Sequence, residues 1–218
     1  MLEMTLIILL GLSTFLDTSA VNVCLDSTDA DRCQIDANGN LSLGLCGITD
    51  ADFDDLASCL EAAGPETITT LYLSHNELTT LPEGIFGGLT ALQTLYLSYN
   101  ELTTLPEGIF GGLTALQTLS GVSETTSSPR HVCYLLRSWP SLDTRRYLSY
   151  NELTTLPEGI FGGLTALQTL YLLYNELTTL PEGIFGGLAA LETLDLHFNE
   201  LTTLPEGIFG GLTALERL

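Results

Sequence analysis

From Ile68 onward the chain repeats one block of apolar and polar positions. The segment ITTLYLSHNELTTLPEGIFGGLTA begins at Ile68, and near-copies begin at Leu92, Leu167 and Leu191, each 24 residues long. Another copy begins at Asp143 and is degraded in its first four positions. In Leu71-Tyr72-Leu73 the side chains point in, out and in, which predicts a short strand of period two. Leu78, Leu81, Phe86 and Leu89 continue the buried set, and Pro82 with the Gly87-Gly88 pair turns the chain back. One block buries too little apolar surface alone, so the copies must stack around a shared core, with their strands forming a parallel sheet on the concave side. Phe86, Phe110, Phe161, Phe185 and Phe209 should align as a buried aromatic column. Asn76, Asn100, Asn151, Asn175 and Asn199 fall once per block. Their amides are expected to satisfy backbone groups in the turn after each strand rather than to form a site.

The pattern L-x-x-L-x-L-x-x-N-x-L is the leucine-rich repeat signature. It predicts an α/β repeat fold, a leucine-rich repeat solenoid with a curved parallel sheet, over residues 68–218. Between Asn100 and Asn151 the spacing is 51 residues, two blocks plus three. An aberrant repeat is therefore expected at 116–142. The stretch SGVSETTSSPRHVCYLLRSWPSLDTRRY holds four of the six arginines, the only tryptophan (Trp139) and the odd cysteine, Cys133. It reads as a frameshifted or mis-spliced repeat, with a basic, aromatic functional loop as the alternative. Arg146 falls where other copies bury a leucine. The chain ends as a new repeat starts, so no C-terminal cap is expected to cover Leu201, Leu204 and Phe209.

Upstream, residues 1–20 read as a secretory signal peptide, with a short apolar run at Leu6–Leu12 and small residues at Thr18-Ser19-Ala20. The run is too short to span a bilayer. Residues 21–67 then form a cysteine-containing N-terminal cap. Cys24, Cys33, Cys46 and Cys59 are an even set suited to two disulfides, with three pairings open. Zinc is disfavoured, because no C-x₂₋₄-C pair occurs. Cys33–Asp36 and Leu41–Leu43 flank Asn38-Gly39, a hairpin signal. Thr49 and Asp52 form a capping-box variant opening a helix whose face carries Phe53, Leu56 and Leu60, and Gly64-Pro65 ends it. The acids at its start suit the helix dipole and lack the spacing of a calcium loop. Asn40-Leu41-Ser42 is an N-glycosylation acceptor.

Charge narrows the partners. The 218 residues carry 27 acids against 6 bases, all of them arginine, for a net charge of −21. Nucleic acid and anionic membrane surfaces are therefore excluded as expected partners, since both are met by cationic groups. Hydrophobic residues make up 45% of the chain, enough for a core. Ten glutamates form two ladders, Glu77, Glu101, Glu152, Glu176 and Glu200 after the asparagines, and Glu83, Glu107, Glu158, Glu182 and Glu206 after the prolines. His75, His131 and His197 are scattered, and no nucleophile–base set or phosphate loop appears, so no enzyme activity, cofactor or metal is expected.

Function is sought on the outward strand positions. The residue between the strand leucines is Tyr72, Tyr96, Tyr147, Tyr171 or Asp195, and the residue before the asparagine is His75, Tyr99, Tyr150, Tyr174 or Phe198. Seven of the eight tyrosines thus share one face. Tyrosine gives contact area at low entropic cost, as in paratopes, but a cross-strand aromatic ladder that only stabilises the sheet fits equally.

The modules LxxLxLxxNxLxxLPxGIFxGL at about Ile68–Ala115 and Asp143–Leu218 closely resemble the extracellular leucine-rich repeat proteins of the variable lymphocyte receptor type. The four-cysteine segment resembles a divergent N-terminal cap of that family. The resemblance implies a secreted protein whose concave sheet binds antigen, with contacts at Tyr72, His75, Tyr96, Tyr99, Tyr147, Tyr150, Tyr171, Tyr174, Asp195, His197 and Phe198. The cap cysteines are more widely spaced than in the family, its cysteine-rich C-terminal cap is missing, and the outward positions hardly vary between copies. A fixed-specificity or multivalent recogniser of a protein or glycan ligand, in innate immunity rather than in a clonal repertoire, is the expectation. A structural or adhesive matrix protein is the alternative, and the oligomeric state stays open.

Overall fold

The computed structural model describes residues 33–44, 46–120 and 151–218. The signal segment, Cys24, Cys133, Arg146, Tyr147 and Tyr150 lie outside the described residues. Six strands form one parallel sheet in chain order: β1 (Asn40–Ser42), β2 (Thr70–Tyr72), β3 (Thr94–Tyr96), β4 (Thr118–Ser120), β5 (Thr169–Tyr171) and β6 (Thr193–Asp195). Each has three residues and pairs in register with the next, so Leu41, Leu71, Leu95, Leu119, Leu170 and Leu194 stack as one inward row. None of these six is more than 5% exposed. Burying a leucine side chain contributes roughly 1.5–3 kcal/mol, and no single rung can supply that burial without its neighbours.

Behind the sheet the chain returns through turns. Gly87 N–H donates to the Gly84 carbonyl at 2.7 Å. A Cβ on Gly87 would stand 2.9 Å from that oxygen, and Gly88 follows at φ +83°. Both glycines are therefore required by close approach and by left-handed backbone. The phenylalanine column forms as expected: Phe86, Phe110, Phe161, Phe185 and Phe209 stack in sequence with centroids 6.3–6.4 Å apart.

The asparagines knit the rungs together. Asn100 Nδ2 donates to the carbonyls of Leu73 (3.0 Å) and Leu97 (2.9 Å), and its Oδ1 accepts from Leu78 N–H at 3.2 Å. Asn76 and Asn199 repeat this scheme, and Asn151 and Asn175 repeat the part of it that falls on described residues. The first of them also ties the cap, its Oδ1 accepting from Cys46 and Ile48 N–H.

The interrupted rung departs from the sequence expectation of an aberrant repeat beginning at 116. Leu116 is buried, and Thr118–Ser120 forms β4 in regular register between β3 and β5. The rest of that rung is supplied from Asn151 onward. Asn151 bonds Leu97 O and Leu102 N, Glu152 N–H donates to Leu102 O, and Phe161 stacks on Phe110. The leucine slot assigned to Arg146 is held by Leu119. One rung is therefore assembled from two stretches of chain.

The cap also differs in detail. Asp36–Asn40 is a tight turn, in which Gly39 N–H donates to Asp36 O at 3.0 Å. Its second arm continues as β1, which pairs with β2 in parallel. The first arm, Gln34–Asp36, is not a strand, so the expected hairpin reduces to a turn. The Thr49/Asp52 capping box is present, but it opens a 3-10 turn at Asp50–Asp52 before helix α1 (Phe53–Ala63) begins. Gly64 closes the helix at φ 82°. Cys33 and Cys59 are joined, tying the turn to α1. A closed loop of this size is stabilised by about 3 kcal/mol through the unfolded chain. Cys46 is also disulfide-bonded, to a partner outside the described residues.

Candidate functional site

The alternation of each strand turns one side chain per rung away from the core. Those side chains form a first row, Tyr72, Tyr96, Ser120, Tyr171 and Asp195, set by the strand register. The third place belongs to Ser120. Tyr147, expected in this row from the repeat spacing, lies outside the described residues. Tyr72 and Tyr96 stack at 4.8 Å with an interplanar angle of 11°.

A second row precedes the asparagines: His75, Tyr99, Tyr174 and Phe198. All four have left-handed backbone, with φ between 54° and 60°. Such a conformation costs a non-glycine residue about 1 kcal/mol or more and persists only where its surroundings fix it. Here the asparagine that follows is held by its buried hydrogen bonds, and the backbone of the aromatic residue is carried with it. His75 N–H donates to Ser98 O and Tyr174 N–H to His197 O. The rings stack closely: His75 on Tyr99 at 4.2 Å and Tyr174 on Phe198 at 4.2 Å. Burial lowers the pKa of His75 below its usual value, so its ring is favoured neutral.

The last rung differs from the others. Asp195 Oδ1 accepts from His197 N–H at 2.9 Å and lies 2.8 Å from His197 Nδ1. Phe198 is 65% exposed, the most exposed large apolar side chain among the described residues. Tyr72, His75, Tyr96, Tyr99, Tyr171, Tyr174 and Asp195 are half-buried, each showing only part of its surface.

Between Tyr96 and Tyr171 the first row dips into a recess of about 140 Å³, lined also by Thr118, Ser120 and Thr169. Sequence reasoning missed this feature, although Ser120 lies 24 residues after Tyr96, one repeat length. It also missed Asp50, whose carboxylate accepts from Thr79 N–H at 2.9 Å, from the Thr79 hydroxyl and from Thr80. Burial pushes the Asp50 pKa up, but these hydrogen bonds outweigh it and hold the carboxyl below its usual range. Asp50 thus couples cap to first rung. Asn40 is half-buried, and its Nδ2 donates to Asp36 Oδ2 at 2.8 Å. Asp36 is held low in pKa by hydrogen bonds from Asn40 backbone and side chain and from Asn38.

No group of three or more metal-ligating side chains occurs among the described residues, and no helix there is long and apolar enough to cross a membrane. The arrangement offers aromatic faces, hydroxyls and a carboxylate on a rigid sheet, which suits adhesion to a ligand.

The family model for the leucine rich repeat matches residues 66–120, 147–201 and 173–218, more than half of the chain. Among solved structures, a leucine-rich repeat protein of Leptospira interrogans is 32% identical, with a TM-score of 0.51 over 74% of this chain and 31% of that one. The Toll–Spatzle complex of Drosophila is 24% identical, with a TM-score of 0.52 over 70% of this chain and 17% of that one, a likeness of fold. The chain thus spans less than a third of either structure's chain. No curated protein matches it significantly. The repeat signature, the stacked rungs and these matches agree, and the chain belongs to the leucine-rich repeat family.

Proposed function

We propose that the chain is an extracellular recognition module that binds a protein or glycan ligand on its concave sheet face, in the manner of variable lymphocyte receptors and in an innate immune setting. The observation that carries this reading is the second row. Four aromatic residues are kept in left-handed backbone on the sheet side, where glycine or asparagine would be easier to hold. Rigid aromatic side chains are the preferred anchors of binding surfaces. The contact set is Tyr72, His75, Tyr96, Tyr99, Tyr171, Tyr174, Asp195, His197 and Phe198, with Tyr147 and Tyr150 completing it outside the described residues. Secretion is supported by the cap disulfide, since such bonds persist in oxidising compartments. It further rests on residues 1–20 as signal peptide, 21–67 as cap and Asn40 as glycosylation acceptor. The Toll–Spatzle complex is described as a hub in Drosophila development and innate immunity, which supports the setting by analogy of fold alone.

The mutual stacking of Tyr72–Tyr96, His75–Tyr99 and Tyr174–Phe198 favours a second reading, a matrix protein whose ladder only stiffens the sheet. Screening the full chain on a glycan array and against bacterial surfaces, beside Tyr99→Ala and Tyr174→Ala, separates the two. Recognition predicts a loss of at least about tenfold in binding with the fold retained, as for interface anchors. Binding unchanged in both variants, with a lowered melting temperature, would establish the structural ladder instead.

A further inference from the structure

Asn40 heads β1, the strand at the cap end of the sheet among the described residues. Leu41 is 1% exposed, so alternation turns Asn40 and Ser42 outward, onto the face that carries Tyr72. Register sets Asn40 beside Thr70 and Ser42 beside Tyr72. One ring face of Tyr72 stacks on Tyr96. The other is turned towards β1, where the paired residue is the exposed and small Ser42.

Asn40-Leu41-Ser42 has the acceptor pattern for an N-linked oligosaccharide. Its geometry suits modification: the backbone is extended, the strand lies at an edge, and Ser42 is exposed. The Asn40 amide nitrogen carries two hydrogens. One donates to Asp36 Oδ2 at 2.8 Å in an exposed contact. Transfer consumes the other. Nδ2 bonds to C1 of the sugar, and the bond from C1 to the pyrophosphate of a lipid-linked oligosaccharide donor breaks. The electron pair leaves on the pyrophosphate and the second amide hydrogen leaves as a proton. The hydrogen bond to Asp36 survives this change, so the folded turn holds the modified amide as it holds the free one.

We propose that Asn40 carries an N-linked oligosaccharide that stands on the sheet face at its cap end, covers Tyr72, and leaves the face from β3 to β6 for the ligand. The proposal rests on the reading of the chain as an extracellular recogniser and narrows its contact set. Residues two apart on a strand are separated by about 7 Å and neighbouring strands by about 4.8 Å, so Tyr72 lies within the span of a glycan core rooted at Asn40. A bulky, hydrated group there excludes a macromolecule from the ring beneath it.

The test is expression of the full chain in an animal secretory cell line. The secreted chain should lose the mass of one glycan on treatment with peptide N-glycosidase, with the tag of cleavage at Asn40. Ser42→Ala, which removes an exposed hydroxyl and keeps the Asn40–Asp36 bond, should lack that glycan, as should Asn40→Gln. Hydroxyl-radical footprinting then reads the shield. Tyr72 should be less reactive in the glycosylated chain than in Ser42→Ala, while Tyr174 reacts equally in both. A secreted chain with Asn40 unmodified, or Tyr72 equally reactive with and without the glycan, would overturn the proposal and leave the recognition reading standing. Retention of the chain inside the cell with Asn40 unmodified would overturn both.

Discussion

The two sides of each rung follow different rules. On the inner side, Asn76 to Asn199 and Phe86 to Phe209 make the same contacts in rung after rung, and even the interrupted rung obeys them through Asn151 and Phe161. On the sheet side the same register carries Tyr, Tyr, Ser, Tyr and Asp in one row, and the turn position changes from His to Tyr to Phe. Packing fixes the inner set, because a changed volume or an unpaired amide there disturbs two neighbours at once. The sheet side is free of that constraint. Departures from repetition on it are therefore where specificity is to be sought.

The sharpest way to test this contrast is to damage the inner side. Phe110 is 2% exposed and stacked on both sides. Phe110→Ala should cost about 3–5 kcal/mol, read from urea unfolding. Asn100→Ala removes three hydrogen bonds to buried backbone and should cost about 2–4 kcal/mol by the same measurement. A loss below about 1 kcal/mol for either, the level expected of a single aromatic stack such as that of Tyr99, would erase the distinction.

Smaller effects come from charge. The folded-state pKa of His75 lies below its usual value of 6.5. Its contribution to stability is therefore complete above that value and is lost as pH falls through the folded pKa. The melting temperature should drop between pH 7.5 and pH 5 by more in the wild type than in His75→Tyr, which copies the next rung. Equal slopes would show that ring burial at His75 does not matter. The glutamate ladders act in the opposite sense to salt. Neighbouring rungs place like charges about 5 Å apart, where repulsion in water is about 0.8 kcal/mol per pair before screening. Added sodium chloride should raise the melting temperature, and an unchanged or lowered one would contradict the ladder repulsion.

Much of the inner side was legible in the sequence because its residues recur every 24 positions. The asparagine roles, the phenylalanine column and the Thr49/Asp52 cap all followed from spacing. Spacing makes Asn151 the landmark of a repeat starting at Asp143, whereas the strand of that rung is Thr118–Ser120. Leu119 and Ser120 lie one repeat length after Leu95 and Tyr96, and register pairing follows the strand rather than the turn. Spacing alone did not choose Cys33–Cys59 among three pairings. Nor did it show Asp50 reaching Thr79 and Thr80, a contact between elements 29 residues apart that exists only once the cap has docked. The recess beside Ser120 was hidden for the same reason, since it depends on which strands become neighbours.

The central claim is that ligand contact falls on the sheet side and spares the turns behind it. Hydroxyl-radical footprinting of the full chain, with and without the best ligand from the array, tests it directly. The expected result is protection of Tyr96, Tyr99, Tyr171 and Tyr174, with Pro106 and Pro181 on the returning turns unchanged. Protection confined to those turns, with the four tyrosines as reactive as before, would contradict the account.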